Sequence, residues 1–136
     1  MRTFLDSGVL LTAWRGTEAN AQAALKILDD ERREFVTAEM VKLELLPKPA
    51  FFGHKDELEF YGTHFDLVRA EEPISKELAK DAFHLAKKHG LAAADALNVA
   101  SALRLKAEEF ITTETSGKAL FRVAGLKVTS LHAVKS

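Results

Sequence analysis

The 136-residue chain contains no cysteine, which excludes a disulfide scaffold, a thiol nucleophile and a cysteine-based zinc site. That absence agrees with a reducing compartment, so a cytoplasmic protein is expected. Long apolar runs are missing too, and nothing approaches the roughly 20 residues of a membrane span. In the N-terminal stretch MRTFLDSGVLLTAW, Asp6 interrupts the apolar residues before they could act as a signal-peptide core. No membrane partner is expected. There is no large excess of one charge: 19 Lys and Arg against 20 Asp and Glu give a formal net charge of -1. A basic coat for nucleic acid is thereby excluded, and any polyanion must bind a local patch. Repeats, low-complexity tracts and long linkers are also lacking.

What remains is the composition of a globular protein, 47% apolar and 29% charged, in a length that suits one domain over residues 1–136. Short β-rich runs alternate with helical patterns. The candidate strands are RTFLD (2–6), EFVT (34–37), DLVRA (66–70), EEFITT (108–113) and LKVTSL (126–131). Between them lie AQAALKILDDERR, AEMVKLELL, a helix over 55–65, SKELAKDAFHLAKKHG and LAAADALNVASAL. Pro47 and Pro49 are expected to stop one helix, Pro73 with Ser75 to reset the chain, and Gly90 to end a helix as a C′ glycine. Strand-helix alternation predicts an α/β fold with a parallel sheet covered on both faces.

Four acids sit at informative places. Asp6 ends the first strand, where open α/β sheets gather ligand-binding groups, and it can equally cap the helix GVLLTAW. Glu44 is flanked by Leu43 and Leu45 in AEMVKLELLPK and has a plain alternative as a surface residue paired with Lys48. Asp95 lies in the first turn of the alanine-rich helix, where the helix dipole keeps a carboxylate ionised; Asn98, one turn later, projects from the same side. Glu114 follows Thr112 and Thr113 at the end of the fourth strand and could be an ordinary loop acid.

The joint pattern says more than each residue singly. In a parallel sheet the carboxyl ends of neighbouring strands share one edge, so these acids can converge. Clustered carboxylates raise one another's pKa unless a cation intervenes. Oxygen-only donors point to a hard divalent ion, Mg²⁺ or Mn²⁺.

The segments FLDSGVLL, VTAEMVKLELLPK, LAAADALNVASAL and FITTETSGKALFRVAGLKV, in that order, resemble the PIN domain, in particular the small toxins of VapBC-type toxin-antitoxin pairs. The resemblance spans nearly the whole chain and implies a three-layer α/β/α fold around a parallel five-stranded sheet of order 3-2-1-4-5. It also implies an Mg²⁺- or Mn²⁺-dependent endoribonuclease that hydrolyses RNA phosphodiesters by in-line attack of an activated water. On this resemblance Asp6, Glu44, Asp95 and Glu114 form the catalytic set; Asp6, Asp95 and Glu44 hold the metal or its waters, while Ser7, Asn98 and Thr112 orient the ligands. Two positions depart from the family pattern: Glu114 stands where an Asp is usual, and Asn98 where many relatives carry His.

The implied partners are RNA, a cognate antitoxin and a second copy of the chain. Cations that could hold RNA are Arg15, Lys42, Lys48, Lys118, Arg122 and Lys127, with Lys118 and Arg122 the preferred pair. Phe51 and Phe52, beside Pro49 and Gly53 at a helix-helix turn, are candidates for an exposed groove that receives a partner helix. Two other enzyme classes place an Asp at a strand end. A haloacid-dehalogenase-like phosphatase needs a second Asp two residues later, where this chain has Gly8. A response-regulator receiver needs one after the third strand, where it has Arg69-Ala70-Glu71-Glu72. A PIN-like module that binds RNA or protein without turnover stays open.

Overall fold

A computed structural model describes residues 1–115 and 117–133, so that Ser116 and the last three residues lie outside the described part. Five strands, β1 (Arg2–Leu5), β2 (Glu34–Ala38), β3 (Glu71–Glu72), β4 (Glu109–Thr112) and β5 (Lys127–Ser130), form one sheet in the order 3-2-1-4-5. Every pairing is parallel. The central strands explain why: Thr3, Phe4 and Leu5 of β1 and all four residues of β4 are buried, as expected of strands covered on both faces. Phe4 and Phe110, adjacent in register, stack with ring centroids 5.1 Å apart.

Among the described residues, seven α-helices lie between the first four strands: α1 (Ser7–Arg15), α2 (Glu18–Leu28), α3 (Glu39–Leu45), α4 (Pro47–Phe51), α5 (Lys55–Leu67), α6 (Lys76–His89) and α7 (Ala93–Arg104). The chain steps outward from β1 through β2 to β3, then crosses back to β4 on the other side of β1. With right-handed crossovers this reversal places α1 to α5 on one face and the α6–α7 hairpin on the other. The reversal also opens a crevice at the carboxyl ends of β1 and β4, the switch point where such sheets bind ligands.

Local signals behave largely as expected. Ser75 caps α6 by accepting from the Leu78 amide at 3.0 Å, and Gly90 ends it in the left-handed region at φ 73°. Two expectations need correction. The third strand is not 66–70: α5 runs on to Leu67, and only Glu71–Glu72 pair with β2 as a strand. The Arg69 amide nevertheless bonds the Phe35 carbonyl and the Thr37 amide bonds the Ala70 carbonyl, so the extended connector already tracks β2. Pro47 does not simply stop a helix; it starts α4 at the first helical position, where its missing N–H is harmless, and Pro49 lies inside that short helix. Among the described residues no helix is long and apolar enough to cross a membrane.

His64 of α5 is 94% buried, edge-on to both Phe35 of β2 and Phe65, and its Nε2 has no hydrogen-bond partner. Burial pushes its pKa down to about 4, from 6.5 in the unfolded chain. Between these values the unfolded chain binds a proton that the folded chain refuses, so stability is lost as pH falls from 6.5 towards 4. Relative to a His64→Phe variant, the natural chain should lose about 3 kcal/mol across that window. Urea unfolding at both ends of the window checks this; a constant difference between the two proteins would refute it.

Candidate active site

Asp6 directly follows β1 and is the N-cap of α1. Its amide bonds the Ile111 carbonyl of β4 at 3.0 Å, which ties the residue to the crevice between the two strands. Its two carboxylate oxygens take different donors: the Ser7 amide reaches Oδ1 at 2.8 Å and the Thr112 hydroxyl reaches Oδ2 at 3.1 Å. Capping and site membership are therefore one arrangement. Thr112 does a second task, since its Oγ1 accepts from the Glu114 amide at 3.2 Å and shapes the turn after β4.

The other acids arrive from three directions. Asp95 stands in the first turn of α7, half-buried. Glu44, exposed on α3, is reached by Asn98 of α7, whose Nδ2 donates to Oε1 at 2.8 Å across the edge of the sheet. Glu114 is exposed on the turn after β4. Proximity shows in their charge: burial pushes the Asp6 carboxyl up to about 6, and the charges of Glu44 and Asp95 add to it, against the bonds from Thr112 and Ser7. Asp95 is likewise raised, first by burial and then by Glu114. All four sequence-selected acids thus gather at one edge, although they come from strand, helix, helix and turn.

The donor set consists of hard oxygens, and its mutual repulsion is what a divalent cation relieves. Asn98 is 99% buried and its Oδ1 has no donor; a water carried by a cation beside Glu44 would supply one. Among the described residues, however, no three acidic or histidine side chains converge closely enough to make a closed ligand cage. These residues therefore fit an ion that keeps much of its water and takes one or two carboxylates, as Mg²⁺ commonly does.

The sequence profile of the PIN domain matches residues 3–125. The chain belongs to the PIN domain family. By sequence it matches no curated protein. Among solved structures this PIN domain is similar to VapBC2 of Rickettsia felis bound to a promoter DNA fragment, with TM-score 0.68 and 11% identity over 96% of this chain and 98% of that one. It is also similar to a toxin-antitoxin complex from Klebsiella pneumoniae, with TM-score 0.65 and 18% identity over 97% and 99% of the two chains. A third is VapC20 of Mycobacterium tuberculosis, a sarcin-ricin-loop-cleaving toxin, at 0.66 and 15% over 86% and 92%. At these identities the likeness is one of fold.

The remaining sequence candidates sort by position. The contact Ser7 makes with Asp6 is through its backbone amide. Lys118 and Arg122 are exposed at the start and end of a 3₁₀ turn, Ala119–Arg122, that follows the Glu114 turn. Arg15 is at the opposite end of α1 from Asp6, and its guanidinium is committed to the buried Glu57 at 2.5 Å. Tyr61 also donates to Glu57 at 2.6 Å; together these bonds outweigh the opposing effect of burial and hold Glu57 below the usual carboxylate range. Lys42 pairs with Glu71 at 2.5 Å. Lys127 registers with Glu109 at the amino end of the sheet, away from the acids. Phe51 and Phe52 are 82% and 62% exposed, as expected of that turn.

One residue beside the candidate site escaped sequence reasoning. Gly8 occupies the first turn of α1, where a Cβ would lie 2.6 Å from the Thr113 Oγ1. A glycine inside a helix costs about 1 kcal/mol against alanine, and that unfavourable choice was the available signal. Its bareness lets α1 dock against the turn that carries Glu114. Gly8→Ala should therefore be more favourable, by about 1 kcal/mol, in a Thr113→Ala background than in the natural chain. A denaturation cycle of the four proteins measures the coupling; zero coupling would show that this contact constrains nothing.

Proposed function

We propose that this PIN domain is an endoribonuclease that depends on Mg²⁺ or Mn²⁺, hydrolyses RNA phosphodiester bonds, and serves in the cytoplasm as the toxin of a VapBC-type pair. The observation that carries the reading is the convergence of Asp6, Glu44 and Asp95 on the switch-point crevice, with burial and mutual repulsion raising Asp6. Such perturbed groups in a cleft are what a site built for a cation and a phosphate looks like before either arrives. Asp6 and Asp95 would hold the ion directly or through water, Glu44 the ion or its waters, and Glu114 would complete the acidic edge. When bound, the ion supplies neutralisation of phosphate charge and activation of water.

The protein's own contribution is orientation. Ser7 and Thr112 fix both oxygens of Asp6, and Asn98 fixes one oxygen of Glu44; such supporting bonds typically govern metal affinity by 10- to 100-fold, about the effect of losing one. Lys118 and Arg122, exposed on the segment that follows Glu114, would supply cations for RNA phosphates. The fold shared with the R. felis and K. pneumoniae proteins supports an antitoxin as partner. The exposed Phe51 and Phe52, with Leu43 at 57% exposure, offer it an apolar surface. A homodimer belongs to the same reading. The open, uncaged acids favour a second one, a PIN module that binds RNA or protein without turnover.

Cleavage of a mixed RNA panel with Mg²⁺ or Mn²⁺ separates the two. Asp6→Asn and Asp95→Asn should each lower cleavage about 100-fold or more, and a chelator should abolish it. Activity that survives both substitutions, or none in the natural chain freed of its partner, would overturn the nuclease. Replacing Lys118 and Arg122 together by Ala should weaken RNA binding, most visibly at low salt; equal binding at every salt concentration would remove them from the RNA path.

A further inference from the structure

The solvent face of α6 carries a feature that the acidic site does not use. At 100° per residue, Lys76, Lys80, Phe83 and Lys87 fall within an arc of about 60°, in a row about 16 Å long. All four are exposed, Phe83 at 64%. The helix buries its opposite side through Leu78 and Ala82, so Phe83 is an aromatic ring displaced from its own helix's apolar face. Its neighbour His84 meets it edge-on at 5.7 Å.

The three lysines have no acidic partner among the described residues. α6 carries two acids: Glu77, beside Lys76, makes no ion pair with the row, and Asp81 is taken by Arg104 at 2.9 Å. Three unpaired cations in line are notable where the whole chain sums to -1.

The row also points somewhere. α6 and α7 form a hairpin about Gly90, so Lys87 stands at the end of α6 that adjoins the start of α7, where Asp95 lies. Arg122 donates to the His89 carbonyl at 3.3 Å, which fastens the 3₁₀ turn to the same end. Cations therefore continue from the helix to the rim of the acidic crevice.

We infer that this face of α6 binds a single-stranded stretch of RNA flanking the scissile phosphate, the lysines neutralising phosphates and Phe83 stacking on a base. The inference deepens the RNA-substrate reading and rests on it. One aromatic ring between cations is the composition of a strand-tracking surface. A protein partner would call for a contiguous apolar centre, and the only other exposed apolar side chain within a turn of Phe83 is Ala79.

Binding of a labelled single-stranded oligoribonucleotide, measured in chelator at several salt concentrations, tests the row independently of cleavage. Phe83→Ala should weaken binding about 5-fold or more with the salt slope unchanged. Lys80→Ala with Lys87→Ala should reduce the slope of log affinity against log salt by about 1.4, whereas Lys26→Ala, on α2, should leave it within error. No binding by the natural chain, or binding indifferent to these α6 changes, overturns the inference. So does a labelled oligoglutamate bound as tightly with the same dependence on Phe83, which would make the occupant an acidic protein. Cleavage without row-dependent binding removes the row alone; row-dependent binding without cleavage removes the nuclease alone.

Discussion

The hydrogen bond from the Thr112 hydroxyl to Asp6 joins the two strands on either side of the switch point, and the rest of the site is arranged around it. Asp6 ends β1 and Thr112 ends β4. Because Thr112 also accepts from the Glu114 amide, one buried hydroxyl fixes both a carboxylate and the turn bearing another. The parallel sheet makes this possible: only in a parallel pair do both strands deliver their carboxyl ends to the same place. A one-residue slip of β4 against β1 would turn Thr112 to the other face and leave Asp6 with one donor fewer.

Comparison with acids elsewhere in the fold shows what is unusual about this edge. Glu109, at the amino end of β4, is 4% exposed and takes donors from Thr3 and Arg33, each at 3.1 Å. Glu57 is 2% exposed and has Arg15 and Tyr61. Buried carboxylates in this protein are thus paired with a guanidinium, as desolvation demands. Asp6 and Asp95, both only partly buried, differ: each is pushed up by burial, and the charges facing them are negative. A stability-driven sequence would place an arginine between them. On the proposed function, a divalent cation would take the place of that arginine.

The sequence made the frame legible and left its margins obscure. Strand and helix types were legible because β1, β2 and β4 are almost wholly buried and each holds a short apolar run, Phe4-Leu5, Phe35-Val36 and Phe110-Ile111, between helical patterns. β3 was misplaced because DLVRA satisfies both an α5 C-terminus and an extended connector, and local pattern cannot decide between them. The four acids were found because each sits at a strand end or a helix near it, a signal one-dimensional text preserves. Pairing is different: that Arg15 belongs to Glu57 or Lys42 to Glu71 depends on where α1 and α3 land, information held in packing. Gly8 was invisible for the same reason, since its meaning lies in a distance to Thr113.

The alanines of α7 tie the frame to the chemistry. Ala96, Ala100 and Ala102 are all buried, and Ser101 turns its hydroxyl back to the Leu97 carbonyl at 2.8 Å, so the helix presents little bulk to its neighbours. Small side chains let a helix approach closely, which α7 needs if Asn98 is to reach Glu44 on α3 across the edge of the sheet. Larger residues would hold α7 away, and both Asn98 and Asp95 would withdraw from the crevice with it. The shortness of those side chains is therefore a geometric requirement of the site. Stability alone would favour filling the same space with leucine and isoleucine, each of which buries more apolar surface than alanine.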